Sequence, residues 1–598
     1  MSVNVQDKYH EVRPVSDLRQ MLTESAELYS ERPAVLVKKA KGEPYSEIVY
    51  RQLRNDVEAL GTALLERGLA GEKIAVIGAN CYEWIATYFA VVNSVGVIVP
   101  LDKELSREEI DTLMGISQCK AVFFTEKYEK YFADYPDLLK VKMKVYGDRT
   151  DLNETLEYSE PEGGVWQWES LVARGEELRR AGDRRYEEAP LDPEEMRMLL
   201  FTSGTTEAAK GVMLSHKNIA SDIMATCKIA YITPEDRTLS FLPIHHTFEC
   251  TLGHVLVIYR GASIAYCEGL KYVTKNLAEA KSTVLIGVPL IFESVYDKIW
   301  KQAEKTGKAK ALRMAIKMNR TAKAFGLDLH KKLFKTVYDT FGGKLNRMIT
   351  GAAGIDPNVS RGFQDLGFTV QQGYGLTECS PLVAGSPDFS EQRYAKAGSV
   401  GPVIPGGEMK IDEPDEDGIG EIMYRGDNVM LGYYNMPEKT AEALDEDGWF
   451  HTGDLGFLDK DGWLYITGRR KNVIVTKTGK NIYPEEMEMY INRNKYVEES
   501  MVYGVEEDDD TYVGAQVRPA YDVIYEEFGK DVSDEQIQKL IKKAIAEMNV
   551  QLPSYKRVKR FVVRSEEFVK TTTKKIKRFK NMGDASARDM SAMEDEDK

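Results

Sequence analysis

Apolar, β-branched runs recur along most of the chain, separated by stretches with helical spacing. KIAVIGAN (73–80), VGVIVPL (95–101), CKAVFFT (119–125), MLLFTS (198–203), TLSFLPI (238–244), ASIAYC (262–267) and STVLIGVP (282–289) each read as a buried strand. Strands alternating with helices predict α/β layers with largely parallel sheets. The longest charge-free run, WIATYFAVVNSVGVIVPL (84–101), has 18 residues, the lower limit for a membrane span. Asn93, Ser94, Gly96 and Pro100 interrupt it, so it reads as a core helix followed by a strand.

From about residue 398 the texture changes. Gly, Asp and Pro become dense, and short strands with tight turns predict a β-rich subdomain. GRRKN (468–472) breaks strand patterns on both sides and marks a boundary. The expected organisation is a large domain over 1–468, a small α/β domain over 469–580, and a disordered tail over 581–598.

The length of 598 residues supports more than one domain, and the net charge of −15 disfavours general nucleic-acid binding. Six scattered cysteines, with no CxxC pair, fit a reducing cytoplasm, and the start carries no apolar leader run. Two segments depart from the acidic balance. Residues 308–347 hold eleven Lys/Arg against two Asp, and 554–580 hold eleven against two Glu. For the first, a solvated helix face and a membrane-surface patch are both open, so peripheral contact with a bilayer stays an option.

The most informative loop is FTSGTTEAAKG (201–211). Thr202, Ser203, Thr205 and Thr206 flank Gly204, and Lys210 follows the predicted strand's turn. Hydroxyls, freed backbone N–H groups and a lysine suit phosphate oxygens. The Walker pattern is absent, and an ordinary turn has the same composition.

The loop resembles the phosphate-binding signature of adenylate-forming enzymes, with Glu207 and Ala209 where the family has Gly and Pro. Further motifs follow in the family's order. LPIHHTFE (242–249) resembles its LPxxH segment and puts His246 near the carboxylate substrate. Gly351-Ala352-Ala353 resembles the adenine-facing turn. Gln372-Gly373-Tyr374-Gly375-Leu376-Thr377-Glu378 resembles GYGxTE, which implies Tyr374 against the base, Thr377 at the α-phosphate and Glu378 as ligand of Mg²⁺. HTGDLG (451–456) resembles the TGD motif, with Asp454 at the ribose. In GRRK (468–471), Arg469 also reaches the ribose and Lys471 falls on the hinge position. TTTKKIKR (571–578) resembles the final motif, with Lys575 as its reactive-site lysine and Lys574 replacing Gly. In VTKTG (475–479), Gly479 would let pantetheine pass.

The resemblance covers about residues 40–580. The block LHKKLFKTVYDTFGGKLNRMITGAAGIDP (329–357) is similar to that of long-chain fatty acyl-CoA synthetases. It implies activation of a fatty acid by ATP as an acyl-adenylate, then transfer to coenzyme A with release of AMP and pyrophosphate. It also implies a domain rotation between the half-reactions. An acyl-carrier-protein or aryl/medium-chain acid ligase of the same fold, and an inactive membrane-associated nucleotide-binding protein, are the alternatives. Nothing in the sequence speaks to oligomeric state.

Overall fold

The computed structural model describes residues 8–147, 156–202, 209–476, 480–507, 510–571, 575–582 and 591–592. Its backbone separates into two compact units. The first contains the described residues up to 202, 209–408 and 424–450; the second contains 409–423 and those from 451 onward.

The first unit is built on two eight-stranded sheets. One centres on Lys73–Ile77, flanked by Val97–Leu101 and Ala121–Thr125, all parallel. Its Met196–Thr202 strand turns back antiparallel into Lys210–Ser215, and Gly432–Tyr433 closes that edge. In the other sheet, Arg237–Ser240, Val284–Gly287, Arg347–Thr350 and Thr369–Gly375 run parallel, and Leu382–Gly385 adds an antiparallel edge. These strands are near-continuous apolar runs because helices cover them. The second sheet's covering layer is a core of Leu239, Leu285, Phe292, Phe363, Phe368 and their neighbours.

The charge-free run folds as its interruptions predict. Helix Tyr82–Ala90 widens into a π-turn at Val91–Val95, Gly96 turns the chain, and strand Val97–Leu101 follows. Glycine is required at 96 because a Cβ would stand 2.1 Å from the Glu72 carbonyl oxygen. Among the described residues no helix is long and apolar enough to cross a membrane.

The second unit holds most of a four-stranded sheet formed by Glu408–Asp412, Gly420–Arg425, Phe450–Leu458 and Leu464–Arg469. This is the β-rich texture seen in the sequence. The segment 451–468, expected in the large domain, groups instead with this unit, because antiparallel pairing of Asp454 with Arg469 spans the expected boundary. A smaller α/β body follows. Strands Val497–Glu507 and Asp510–Pro519 pair antiparallel, Val558–Val563 joins in parallel, and helix Asp534–Asn549 buries Ile541, Ile545 and Met548 against them. The expected disordered tail begins differently: Asn581 and Met582 end a helix over Arg578–Met582, and Ser591–Ala592 pair with Arg560 and Phe561. Its remaining residues lie outside the described ones.

Helices Tyr50–Glu66 and Trp168–Arg180 touch so closely that a Cβ at Gly175 would lie 1.7 Å from the Ala59 carbonyl oxygen. Backbone cannot move aside as a flexible side chain does. Gly175→Ala is therefore expected to lower stability by about 2–3 kcal/mol, read as a drop in thermal midpoint with activity per folded molecule retained.

Candidate active site

In the first unit the site grows from strand ends. Met196–Thr202 leads into the hydroxyl-rich loop, and Lys210–Ser215 leads out of it. Thr202 and Lys210 are opposite partners at the mouth of this hairpin. Ser203, Gly204, Thr205 and Thr206 lie outside the described residues. The Lys210 ammonium stands 4.9 Å from the Tyr433 ring centroid. The Tyr433 hydroxyl donates to Glu378 Oε1 at 3.0 Å. One aromatic side chain thus bridges two predicted site residues, Lys210 by its face and Glu378 by its hydroxyl. Tyr433 was not among the expected residues. Its signal was the Gly-Tyr-Tyr run after a Gly-Asp-Asn turn, which carries no chemistry by itself.

Thr369–Gly375 carries Gly373 and Tyr374 to the end of its sheet, and Thr377 and Glu378 form the one-turn helix beyond. Gly375 has no alternative: a Cβ would lie 1.8 Å from the Pro381 carbonyl oxygen. The turn is secured from behind by Asn428. Its Nδ2 donates to the carbonyls of Cys379 and Leu382 at 2.7 Å each, and reaches Asp222 Oδ1 at 3.3 Å. Its Oδ1 accepts from the Tyr424 hydroxyl at 2.8 Å. Asp222 also receives the Leu382 N–H at 3.0 Å. Burial holds the Asp222 carboxyl well above the usual carboxylate range, against the pull of these hydrogen bonds. Asp222 and Asn428 are 206 residues apart, and no motif announced either.

The adjacent strand Arg347–Thr350 ends in Gly351, Ala352 and Ala353. Ala352 has φ +69°, a left-handed conformation an alanine adopts at a cost of about 1 kcal/mol. Such strain persists only where surroundings impose it. The Phe248 ring supplies part of that surrounding, standing 3.1 Å from where a Cβ on Gly351 would be.

Phe248 opens the π-helical segment Phe248–Val255 that follows His246. The His246 carbonyl accepts the N–H groups of Glu249 and Cys250 at 3.0 and 2.8 Å, so His246 sits in the turn feeding that helix. Neighbouring His245 is 3.6 Å from Asp102, but burial, then the Lys103 charge, hold its pKa down to about 3. That contact is consequently with a neutral imidazole. Glu249 is buried, and burial pushes its carboxyl up to about 8; the Ser240 hydroxyl donates to it at 2.5 Å. Asn80 in turn donates to Ser240 Oγ and to the Leu242 carbonyl, which fixes the start of the His246 turn.

The second unit gathers the other predicted residues. Asp454 and Arg469 face each other across two strands, with Arg469 Nε 3.0 Å from Asp454 Oδ1. Glu421, buried and unforeseen, accepts the Gly453 N–H at 2.9 Å and Arg470 Nη1 at 2.8 Å. It therefore ties the TGD turn to the GRRK segment. Lys471 is exposed in the single turn Arg470–Asn472 that leaves this sheet. Gly479 lies outside the described residues.

Lys575 stands on a short hairpin in which Lys570 bridges to Ile576. The Thr571 N–H donates to the Lys575 carbonyl at 2.8 Å, and the Lys575 N–H to Thr571 Oγ1 at 3.1 Å. Buried Asn581 grips the hairpin base, accepting the Val569 N–H and donating to the Val569 and Lys577 carbonyls. Arg578 forks onto both oxygens of Glu488 at 2.7 and 2.8 Å. Crowding around the Lys575 ammonium, then the Arg469 charge, lower its pKa, with Asp454 opposing. The residue as a whole keeps substantial exposed surface, so its amine stays open to ligand and solvent.

Residues 22–434 match the AMP-binding enzyme family, and residues 471–583 match the AMP-binding enzyme C-terminal domain. Long-chain-fatty-acid–CoA ligase 1 of Cavia porcellus is 31% identical over 485 residues, covering 77% of this chain and 68% of that protein. Long-chain-fatty-acid–CoA ligase FadD15 of Mycobacterium tuberculosis is 27% identical over 490 residues, covering 79% and 77%. Among solved structures, ATP-bound MatB from Rhodopseudomonas palustris has a TM-score of 0.69 at 24% identity, covering 96% of this chain and 99% of its own. The anthranilate CoA ligase AuaEII in complex with anthranoyl-AMP has a TM-score of 0.73 at 19% identity, covering 98% and 99%. These two likenesses show the fold.

The Asn428 clasp makes a stability prediction with a pH sign. Asn428→Ala removes the amide that donates to two carbonyls and is expected to cost about 2–3 kcal/mol in chemical denaturation. Asp222 keeps a proton in the folded chain that the unfolded chain releases above about pH 4. Folding stability is thereby reduced as pH rises past that point. Asp222→Asn preserves the shape and removes the proton uptake. Its thermal midpoint relative to wild type is expected to be higher at pH 8 than at pH 4; equal differences at both would refute the assignment.

Proposed function

This chain belongs to the AMP-binding enzyme family as an acyl-CoA ligase, and we propose that the acid it activates is a long-chain fatty acid. Support for the chain length comes from relatives named long-chain-fatty-acid–CoA ligases at about 30% identity. Support for the chemistry comes from one observation above all: Tyr433 gathers Lys210 and Glu378 beside the hydroxyl-rich hairpin.

In the proposed first half-reaction a carboxylate oxygen of the acid attacks the α-phosphorus of ATP. The bond from that phosphorus to the bridging oxygen breaks, and pyrophosphate leaves. In the second, the coenzyme A sulfur attacks the acyl carbon, AMP departs with the carbonyl-linked oxygen, and the thiol proton passes to solvent. No protein nucleophile is needed, so the chain's task is positioning and charge.

Each residue group then has a part. Tyr374 and the Gly351–Ala353 turn accommodate the base, where the absence of large side chains lets a flat ring approach the backbone. Asp454 accepts ribose hydroxyls while keeping its contact with Arg469, since an ionised carboxylate accepts several hydrogen bonds. Thr202, Ser203, Gly204, Thr205, Thr206 and Lys210 hold the phosphates, with Thr377 at the α-phosphate. Lys575 offsets charge on the bridging oxygen. His246 lies on the acid's side of the site. Lys471 serves as hinge and Gly479 lines the pantetheine path.

Glu378 suits Mg²⁺ as a single hard oxygen ligand held in place by Tyr433, since this ion takes one or two carboxylates and completes its shell with phosphate and water. When bound, the ion would neutralise phosphate charge.

The reading is tested by pyrophosphate release across carboxylic acids of graded length, with and without coenzyme A. The expected optimum lies among long chains, with AMP and the thioester as products; ADP, or a preference for aryl or short acids, would overturn it. Lys575→Ala is expected to abolish adenylate formation while thioester formation from supplied acyl-adenylate persists.

The Asn581 clasp adds a distinguishable case. Asn581→Ala loosens the Lys575 hairpin without touching ligand. Adenylate formation should fall by about ten- to a hundredfold, with the second half-reaction spared. Equal loss of both half-reactions would assign Asn581 to folding alone.

A further inference from the structure

Helix Ala309–Ala324 has an inner face that the fold uses and an outer face that it does not. Leu312, Ala315 and Ile316 pack against the core, and Asn319 is buried beside them. The opposite meridian reads Lys310, Met314, Lys317, Met318, and ends at Phe325 just past the helix. Spacings of three and four residues place these side chains on one stripe. Met314 is 67% exposed, Met318 52% and Phe325 80%. Leu327, 60% exposed, stays with them because its N–H donates to the Ala322 carbonyl at 2.9 Å.

The cations on this helix divide into two groups. Arg313 stacks over Trp300 at 5.4 Å, and Arg320 is ion-paired with Asp365. Those two are structural. Lys310 and Lys317, with Lys331 and Lys332 just beyond, have no acidic group within ion-pair distance among the described residues. Exposed apolar side chains and unpaired lysines therefore alternate on one convex surface.

We propose that this face docks on an anionic lipid bilayer, with Met314, Met318, Phe325 and Leu327 entering the headgroup region and the lysines meeting lipid phosphates and carboxylates. The inference goes beyond the ligase reading and is read out without turnover. Three considerations select the occupant. A convex stripe of four apolar side chains falls short of the roughly 1,200 Å² that a specific protein interface buries, whereas a bilayer needs only shallow insertion. Unpaired lysines complement an anionic surface, and their stems can lie along apolar neighbours while the ammonium stays wet. With a net charge of −15 the chain as a whole is repelled by such a surface, so docking needs a locally basic, apolar face such as this one.

The test is co-sedimentation of the full chain with phosphatidylcholine vesicles, with and without phosphatidylserine, at low and high salt. Wild type should bind the serine-containing vesicles, bind the neutral ones at least about tenfold more weakly, and lose affinity with salt. Lys310→Glu/Lys317→Glu should weaken binding about tenfold or more and flatten the salt dependence. Met314→Ser/Phe325→Ser should weaken binding at every salt concentration. These positions are exposed, and unchanged thermal midpoints verify folding. A control reversal at Lys539, on the second unit, should leave binding unchanged. Absence of binding to anionic vesicles overturns the proposal. So does binding that ignores both double variants. Tight capture of soluble polyglutamate unaffected by Met314→Ser/Phe325→Ser would assign the face to an acidic protein partner and equally overturn it.

Discussion

A single buried amide carries much of the first unit's site. Asn428 holds the two carbonyls that flank the Glu378 turn, and Tyr424 fixes the amide's own orientation. Remove the amide and both carbonyls lose a buried donor, which costs more than an exposed hydrogen bond would. The close approach at Gly375 adds the complementary constraint, since the turn fits only while residue 375 has no Cβ. Together they explain why Tyr374 and Glu378 emerge from a strand end rather than from a loop free to vary. A site on rigid elements keeps its geometry at lower entropic cost than one on a loop.

The same logic recurs in the second unit with different residues. Glu421 ties the turn bearing Asp454 to the segment bearing Arg470, and Asn581 grips the hairpin bearing Lys575. In each case a buried side chain holds a short, polar turn that carries a residue of the proposed site. The division of labour follows from burial. A group that must meet a charged ligand cannot also be desolvated by the core, so its position is imposed from behind.

That division also sets what the sequence discloses. The strands were legible because burial on both faces writes an unbroken apolar run, and the charge-free stretch at 84–101 declared its own interruptions. The residues proposed to face ligand stand out in the sequence because their types and order are chemically particular: hydroxyls with a lysine, a tyrosine with a carboxylate, a lysine in a basic run near the end. The supports were not. Asn428 pairs with Asp222, and Asn581 with Val569, and neither pairing leaves a period or a local composition to read. Tyr433 looked like one more aromatic in a turn. The expected boundary at 468 is a related case, and the C-terminal family match begins close to it, at residue 471. GRRKN does interrupt the pattern, and Arg469 pairs with Asp454 in the end rung of a two-stranded ladder, so cross-strand pairing holds the start of this segment to its sheet.

Charge completes the picture, because its placement runs against the average. An acidic protein repels a polyphosphate, so the proposed binding of ATP needs local reversal. On that reading the first unit supplies Lys210, whose ammonium stands over the Tyr433 ring. In the second unit, desolvation first and the Arg469 charge second lower the proton affinity of Lys575, while Asp454 opposes them. Placing cations near one another costs stability in the empty protein and is recovered only when an anion arrives. On the proposed reading, the proximity of Lys575 and Arg469 serves an anionic ligand rather than folding.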